Sequence, residues 1–197
     1  DEHDNAYKAG RFVRASDLGQ ASEHAEWKPV IIDGAKNEII VPNGTMGQRW
    51  EKDAKWNLIL ENEDGTKVEP VLSVIDQGAE WKEIHFPYFD NTGNGVFTRA
   101  IPTRKVKFAD GTERLVATVY DVMMSQYGIN RSNSKWDAKG YDDAESLYTP
   151  AWQQKVTSVK PELVIQIARE FAQNAIDTGG RSMIIMGAGI NHWFNSD

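Results

Sequence analysis

The sequence contains no cysteine among its 197 residues. Disulfide bonds, thiolate nucleophiles and cysteine-ligated zinc or iron–sulfur centres are therefore excluded within this chain. The four histidines, His3, His24, His85 and His192, lie far apart, and no pair has the short spacing typical of a metal-binding motif. The residues alone therefore predict no self-contained metal site.

Long apolar runs and clustered basic residues are also lacking. No run approaches the roughly 20 apolar residues that a membrane-spanning helix needs, so we expect no direct membrane insertion. Lys and Arg number 22 against 29 Asp and Glu, which gives a net charge of -7 and an isoelectric point near 5.2. Because the basic residues are scattered along the chain, we expect no nucleic-acid partner.

An initiator methionine and a targeting segment are absent at Asp1. The final apolar run, described below, is not followed by the helix that would cover it. We interpret these two features as signs of a piece of a longer polypeptide. Hydrophobic residues make up 40% of the sequence, which is enough to build a globular core.

Residues 1–147 are predicted to form a β-hairpin-rich section. Runs rich in β-branched and aromatic residues alternate with turn residues, and the Asp110-Gly111 pair is typical of a tight hairpin turn. A short helix is expected over 121–127, before Gly128. The predicted hairpins pair 30–33 with 38–41, 56–60 with 67–74, and 105–108 with 114–120.

Residues 148–197 are predicted to begin an α/β layer. Thr149 is a helix cap before Pro150, a second helix begins near Pro161, and Gly179-Gly180 end it. The apolar run 181–186 then indicates a strand buried on both faces, as in a parallel sheet. The fold class is therefore an α+β or α/β fragment, with a hairpin-rich region followed by helix, helix and strand of an incomplete Rossmann-like layer.

The turn after this run is the candidate ligand site. Gly187 and Gly189 lie at the carboxyl end of the predicted strand, where parallel sheets bind ligands and where glycine admits close backbone approach. His192 occupies the third position of the dinucleotide fingerprint, so that pattern fails. Asn191, His192 and Trp193 instead suit a flat, polar, phosphate-bearing heterocycle. From spacing alone, we favour the alternative that Trp193 and Phe194 simply pack under a following helix.

Two other patterns have plainer explanations. Asp142-Asp143 is interpreted as a solvated turn rather than as paired catalytic carboxylates, because nothing places a second carboxylate opposite them. Tryptophans in the β-rich section could serve a carbohydrate-binding surface, but aromatic residues beside hairpins are more often core or interface residues. These tryptophans are Trp27, Trp50, Trp56 and Trp81.

Five motifs occur in order over nearly the whole chain, at residues 10–18, 41–50, 117–122, 148–152 and 180–193. The last motif, GRSMIIMGAGINHW, is the most specific. Together the motifs resemble the catalytic α subunits of membrane-bound respiratory nitrate reductases. That family lies within the dimethyl sulfoxide reductase superfamily of molybdopterin oxidoreductases.

The resemblance implies an oxidoreductase that reduces nitrate to nitrite at molybdenum bis-molybdopterin guanine dinucleotide. It also implies a 4Fe-4S cluster elsewhere in the full-length subunit, an iron–sulfur β subunit, and a quinol-oxidising membrane γ subunit. The complex would lie on the cytoplasmic face of the bacterial inner membrane and serve anaerobic nitrate respiration. This section alone is expected to be inactive and to hold no cofactor stably.

Within this section the resemblance assigns no catalytic residue and no metal ligand. The family's cluster motif contains cysteine, and the surroundings of its molybdenum-ligating aspartate have no match here. The resemblance does imply that Gly187, Gly189, Asn191, His192 and Trp193 lie beside the molybdopterin cofactor. A nitrite oxidoreductase α subunit would share these motifs. A freestanding nucleotide-binding or carbohydrate-binding module is the alternative from another class.

Overall fold

A computed structural model describes residues 2–3, 6–41, 61, 64–88, 95–131 and 137–187 of the chain. Contacts between residues divide the chain into two compact units, Asp1–Asp137 and Ala138–Asp197. The predicted boundary after residue 147, between a β-hairpin-rich section and the beginning of an α/β layer, stays a prediction.

The strands that the structure describes all belong to the first unit. In chain order they are β1 (Glu2–His3), β2 (Ala6–Tyr7), β3 (Ile31–Asp33), β4 (Glu38–Ile40), β5 (Glu80–Pro87), β6 (Val96–Lys107) and β7 (Glu113–Val116). One sheet has the order β1-β2-β5-β6-β7, and β3 pairs with β4 in a second sheet. All pairings are antiparallel except that of β2 with β5, which places Tyr7 opposite Ile84.

Three α-helices accompany these sheets: α1 (Val119–Gln126), α2 (Pro150–Thr157) and α3 (Pro161–Thr178). Short 3-10 helices cover Ala15–Leu18 and Ile75–Gln77. The helix ends follow the predicted signals, since Thr149 accepts a hydrogen bond from the backbone N–H of Trp152, Pro150 begins α2, and Gly179 follows α3. Within the described residues, no helix combines the length and apolar character needed to cross a membrane.

Two of the three predicted hairpins are present. The β3–β4 hairpin places Ile31 opposite Ile40, and the β6–β7 hairpin turns at Asp110 and Gly111. The Asp110 carboxylate accepts hydrogen bonds from the backbone N–H and the hydroxyl of Thr112, at 2.9 and 2.6 Å, which stabilises the tight turn. In the remaining hairpin, 56–60 lies outside the described residues.

The longest strand pairing was not expected from the sequence. β5 and β6 pair over eight positions, from Glu80 opposite Thr103 to Pro87 opposite Val96. Phe86 and Phe97 face each other across this pair, with ring centroids 5.6 Å apart, and both are buried. Cross-strand aromatic pairs stabilise antiparallel sheets, so this contact forms the centre of the first unit's core.

The fold is therefore α+β, as predicted, but the described residues do not form a Rossmann-like parallel layer. Residues 181–187 follow α3 as an irregular segment rather than as the predicted strand. A strand needs a neighbouring strand to satisfy its backbone N–H and C=O groups, and no described strand lies in the second unit. The missing partner is the physical reason for the difference.

Candidate functional site

The candidate site begins at the carboxyl end of α3, where two glycines turn the chain. Gly179 and Gly180 both have left-handed backbone conformations, with φ of 67° and 95°. The Gly180 N–H donates to the Ala175 carbonyl at 2.7 Å, which satisfies one of the free carbonyls at the helix end. Residues with a Cβ rarely adopt these φ values, so both positions favour glycine.

A small hydrogen-bond cluster then fixes the direction of the segment that leaves this turn. The Asn174 side-chain amide donates to the Arg181 carbonyl at 3.2 Å and to the Ser182 hydroxyl at 2.8 Å. The Ser182 hydroxyl donates in turn to the Phe171 carbonyl at 2.8 Å. The start of the segment is therefore held along the last turns of α3.

The apolar residues that follow are exposed to solvent. Met183 and Ile184 are each 75% exposed, Ile185 is 82% exposed and Met186 is 70% exposed. At Gly187 an added Cβ would meet no atom of the described residues within 4 Å, so those residues leave the backbone there open to approach. Four consecutive apolar side chains in water are unfavourable, since each would gain roughly 1.5–3 kcal/mol on full burial.

Of the five predicted site residues, the structure describes only Gly187. Gly189, Asn191, His192 and Trp193 lie outside the described residues. The predicted contacts of all five residues with a molybdopterin cofactor stay a prediction.

The described residues contain no group of three or more His, Cys, Asp or Glu side chains arranged to hold a metal ion. The open backbone at Gly187 is compatible with the close approach of a flat ligand. We derive no chemical step through molybdenum or through an iron–sulfur cluster.

The most buried charged group among the described residues could not be found from the sequence. Asp121 on α1 is fully buried, and it forms an ion pair with Arg131 at 2.6 Å. Its carboxylate also accepts hydrogen bonds from the Ser73 hydroxyl at 2.7 Å and the Val74 backbone N–H at 3.0 Å. A buried carboxylate is tolerated only when it is paired and hydrogen-bonded in this way.

Arg131 extends this cluster along α1. Its guanidinium also donates to the Asp121 backbone carbonyl at 3.1 Å and to the Ser125 hydroxyl at 3.0 Å, and it lies 5.9 Å from the ring centre of Trp81. The cluster joins α1, residues 73–74 and β5 within the first unit. Because its donors and acceptors satisfy one another, we interpret it as a structural element rather than as a catalytic one.

Asp143 organises the turn that precedes α2. It accepts hydrogen bonds from the side chain and backbone of Ser146 and from the backbone N–H groups of Lys139 and Glu145. These bonds, the Ser146 hydroxyl first, lower the pKa of Asp143 to about 2. The predicted interpretation of Asp142-Asp143 as a turn agrees with this geometry, and Asp143 is well suited to remain ionised.

No protein-family model matches the chain. The nitrate reductase alpha chain of Bacillus subtilis (strain 168) is 48% identical to it over 197 residues, which cover 100% of this chain and 16% of that relative. The respiratory nitrate reductase 1 alpha chain of Escherichia coli (strain K12) is 41% identical over 211 aligned residues, covering 100% of this chain and 17% of the relative.

A third relative is the nitrate reductase alpha subunit of Mycobacterium tuberculosis (strain CDC 1551 / Oshkosh). It is 41% identical over 201 aligned residues, which cover 95% of this chain and 15% of the relative. The chain therefore spans about one sixth of the length of the curated relatives that it matches.

Proposed function

We propose a function from the premise that this chain belongs, over the section that it spans, to the nitrate reductase alpha chain family. The chain serves as one section of the catalytic subunit of a respiratory nitrate reductase, which reduces nitrate to nitrite. The observation that carries this proposal is the identity of 38–48% sustained over 90–100% of the chain.

The complete subunit would hold molybdenum bis-molybdopterin guanine dinucleotide and a 4Fe-4S cluster. The molybdenum centre, when bound, supplies the site at which an oxygen atom is removed from nitrate. An iron–sulfur β subunit and a quinol-oxidising γ subunit would deliver the electrons, and the complex would lie at the cytoplasmic face of the membrane. The name "respiratory" on three of the relatives supports this assembly.

The second unit would contribute one wall of the cofactor site. In this proposal the run from Met183 to Met186 becomes a strand of a parallel sheet completed by polypeptide outside this section. Two observations support it: the four side chains are 70–82% exposed here, and α3 ends in a turn that returns the chain along the helix. Such a strand would carry Gly187 at its carboxyl end, where parallel sheets bind ligands.

The side chains after Gly187 would then make the polar contacts. Gly187 and Gly189 would allow the backbone to approach the cofactor, and Asn191, His192 and Trp193 would hydrogen-bond to it or stack on it. The open space at Gly187 supports the first role. The amide, imidazole and indole groups of Asn191, His192 and Trp193 support the second role, which is hydrogen bonding and stacking.

This proposal is tested with His192→Ala in the full-length subunit assembled with its partners. We expect loss of molybdenum content and of nitrate reduction with reduced viologen as the electron donor. His24→Ala is the matched control, because it makes the same change at a histidine whose side chain is 56% exposed. Molybdenum content and turnover that match those of the control would remove His192 from the site.

A further inference from the structure

α1 is polar on its buried side and apolar on its exposed side, the reverse of an ordinary surface helix. Asp121 is fully buried and Ser125 is 3% exposed, so both face the interior of the first unit. By contrast Val119, Met123 and Tyr127 are 59%, 45% and 44% exposed.

The exposed apolar residues form one continuous strip. At about 100° per residue, positions 119, 120, 123 and 127 fall within roughly 100° of the helix circumference, and positions 121 and 125 fall on the far side. Tyr120 is 38% exposed, and Ile129, just beyond the helix, is 46% exposed. We call Val119, Tyr120, Met123, Tyr127 and Ile129 the α1 strip.

The α1 strip is held in a fixed position. The Thr118 hydroxyl caps the helix by accepting a hydrogen bond from the Asp121 N–H at 3.0 Å, and the Asp121–Arg131 ion pair anchors its buried side. Arg131 also donates to Ser125 one turn later. The Asp121 carboxylate also accepts hydrogen bonds from the Ser73 hydroxyl and the Val74 N–H, so α1 cannot rotate to bury its apolar side without breaking the hydrogen bonds of a buried carboxylate.

We propose that the α1 strip is a docking surface covered by polypeptide of the same subunit that lies outside this section. The inference rests on the proposed function. Tyr and Met are enriched at protein interfaces, and the α1 strip has no charged residue that a partner would need to neutralise. The relatives are about six times as long as this chain, so the same polypeptide offers the largest nearby protein surface.

The composition of α1 disfavours a lipid surface as the occupant. Helices that lie on membranes carry Lys or Arg beside their apolar face, and α1 has neither between Val119 and Gln126. A second copy of the chain and a different subunit are the other occupants that the experiment must distinguish.

Hydroxyl-radical footprinting of the complete α subunit, alone and in its assembled complex, tests the inference. Met123 and its neighbour Met124 form a matched pair, because Met123 is exposed and Met124 is half-buried within this section. The section by itself should oxidise Met123 faster than Met124. In the complete α subunit without its partners we expect loss of that difference, with Met123 protected at every protein concentration.

Three results would overturn the inference. Fast oxidation of Met123 in both preparations would mean that nothing covers the α1 strip. Protection only in the assembled complex would assign the α1 strip to another subunit, and protection that grows with concentration would assign it to a second copy. Nitrate reduction and molybdenum content, measured on the same assembled complex, report on the proposed function separately, because Met123 oxidation can be read whether or not the enzyme is active.

Discussion

The two units of this chain differ in where their apolar side chains lie. Among the described residues, the first unit buries Val74, Ile84, Phe86 and Phe97, together with the Asp121 carboxylate and its ion pair with the partly buried Arg131. In the second unit α2 and α3 bury no residue, and the segment after α3 exposes four apolar side chains. The described part of the first unit therefore has a core of its own, whereas that of the second leaves most of its apolar side chains exposed.

The largest effect is expected at the buried ion pair of the first unit. Asp121→Ala leaves Arg131 partly buried without its main partner, which should lower the free energy of unfolding by about 3–5 kcal/mol. Urea denaturation of the 197-residue chain measures this. Glu145→Ala is the control, because it removes an ion pair with Lys155 in which both side chains are more than half exposed.

A double variant separates the ion pair from its surroundings. Asp121→Ala combined with Arg131→Met should cost less than Asp121→Ala alone, because it leaves no uncompensated buried charge. If the double variant is the less stable of the two, or if Glu145→Ala costs as much as Asp121→Ala, Asp121 does not have the role given to it here.

The next largest effect is expected from replacing a buried isoleucine of the first unit with alanine, compared with the same replacement at an exposed isoleucine of the second. Ile84→Ala in β5 should cost about 2–5 kcal/mol, because it removes a side chain that is 4% exposed and leaves a cavity. Ile176→Ala in α3 should change the free energy of unfolding by no more than about 0.5 kcal/mol in this chain, because that side chain is 74% exposed. Equal losses in urea titrations would contradict the contrast between the units.

The smallest effect concerns acid stability in the turn before α2. Hydrogen bonds hold the pKa of Asp143 at about 2, below its ordinary value of 3.8. A carboxyl whose pKa is lower in the folded state stabilises the fold above the unfolded pKa, and this contribution disappears as the pH falls from about 4 to about 2. Asp143→Asn should therefore flatten the loss of stability over this range.

Ser146→Ala offers a graded version of the same test, because the Ser146 hydroxyl is the main cause of the lowered pKa. It should reduce the pH dependence in the same direction and by less. Thermal unfolding of the two variants and of the unchanged chain, followed by circular dichroism between pH 2 and pH 5, compares the pH dependence of their stabilities. An unchanged slope in Asp143→Asn would show that this carboxylate does not contribute.

The sequence predicted the elements whose signals are local. Thr149 and Pro150 before α2, Gly179 after α3, and Asp110-Gly111 in the β6–β7 turn all act within a few residues of themselves. The middle of the first sheet was missed because Pro87 and Pro102 interrupt the patterns of β5 and β6. Pro102 lies on β6 before its pairing with β7 begins at Arg104, so its missing N–H costs no bond on that side.

The Asp121 cluster could not be predicted for a different reason. Ser73 and Asp121 are 48 positions apart, so no local pattern connects them. The predicted strand over 181–186 failed because strand formation needs a neighbour that this section does not supply. Of the candidate site, only Gly187 falls within the described residues, and the nature of its surroundings depends on the same missing neighbour.

The central claim is that the second unit is completed by polypeptide outside this section. Amide hydrogen exchange from Met183 to Met186 tests it most directly, measured in the full-length subunit and in the 197-residue chain. We expect slow exchange in the full-length subunit, where the backbone N–H groups would pair with neighbouring strands, and fast exchange in the shorter chain. Equally fast exchange in both would mean that this run never becomes a strand, and would contradict the account.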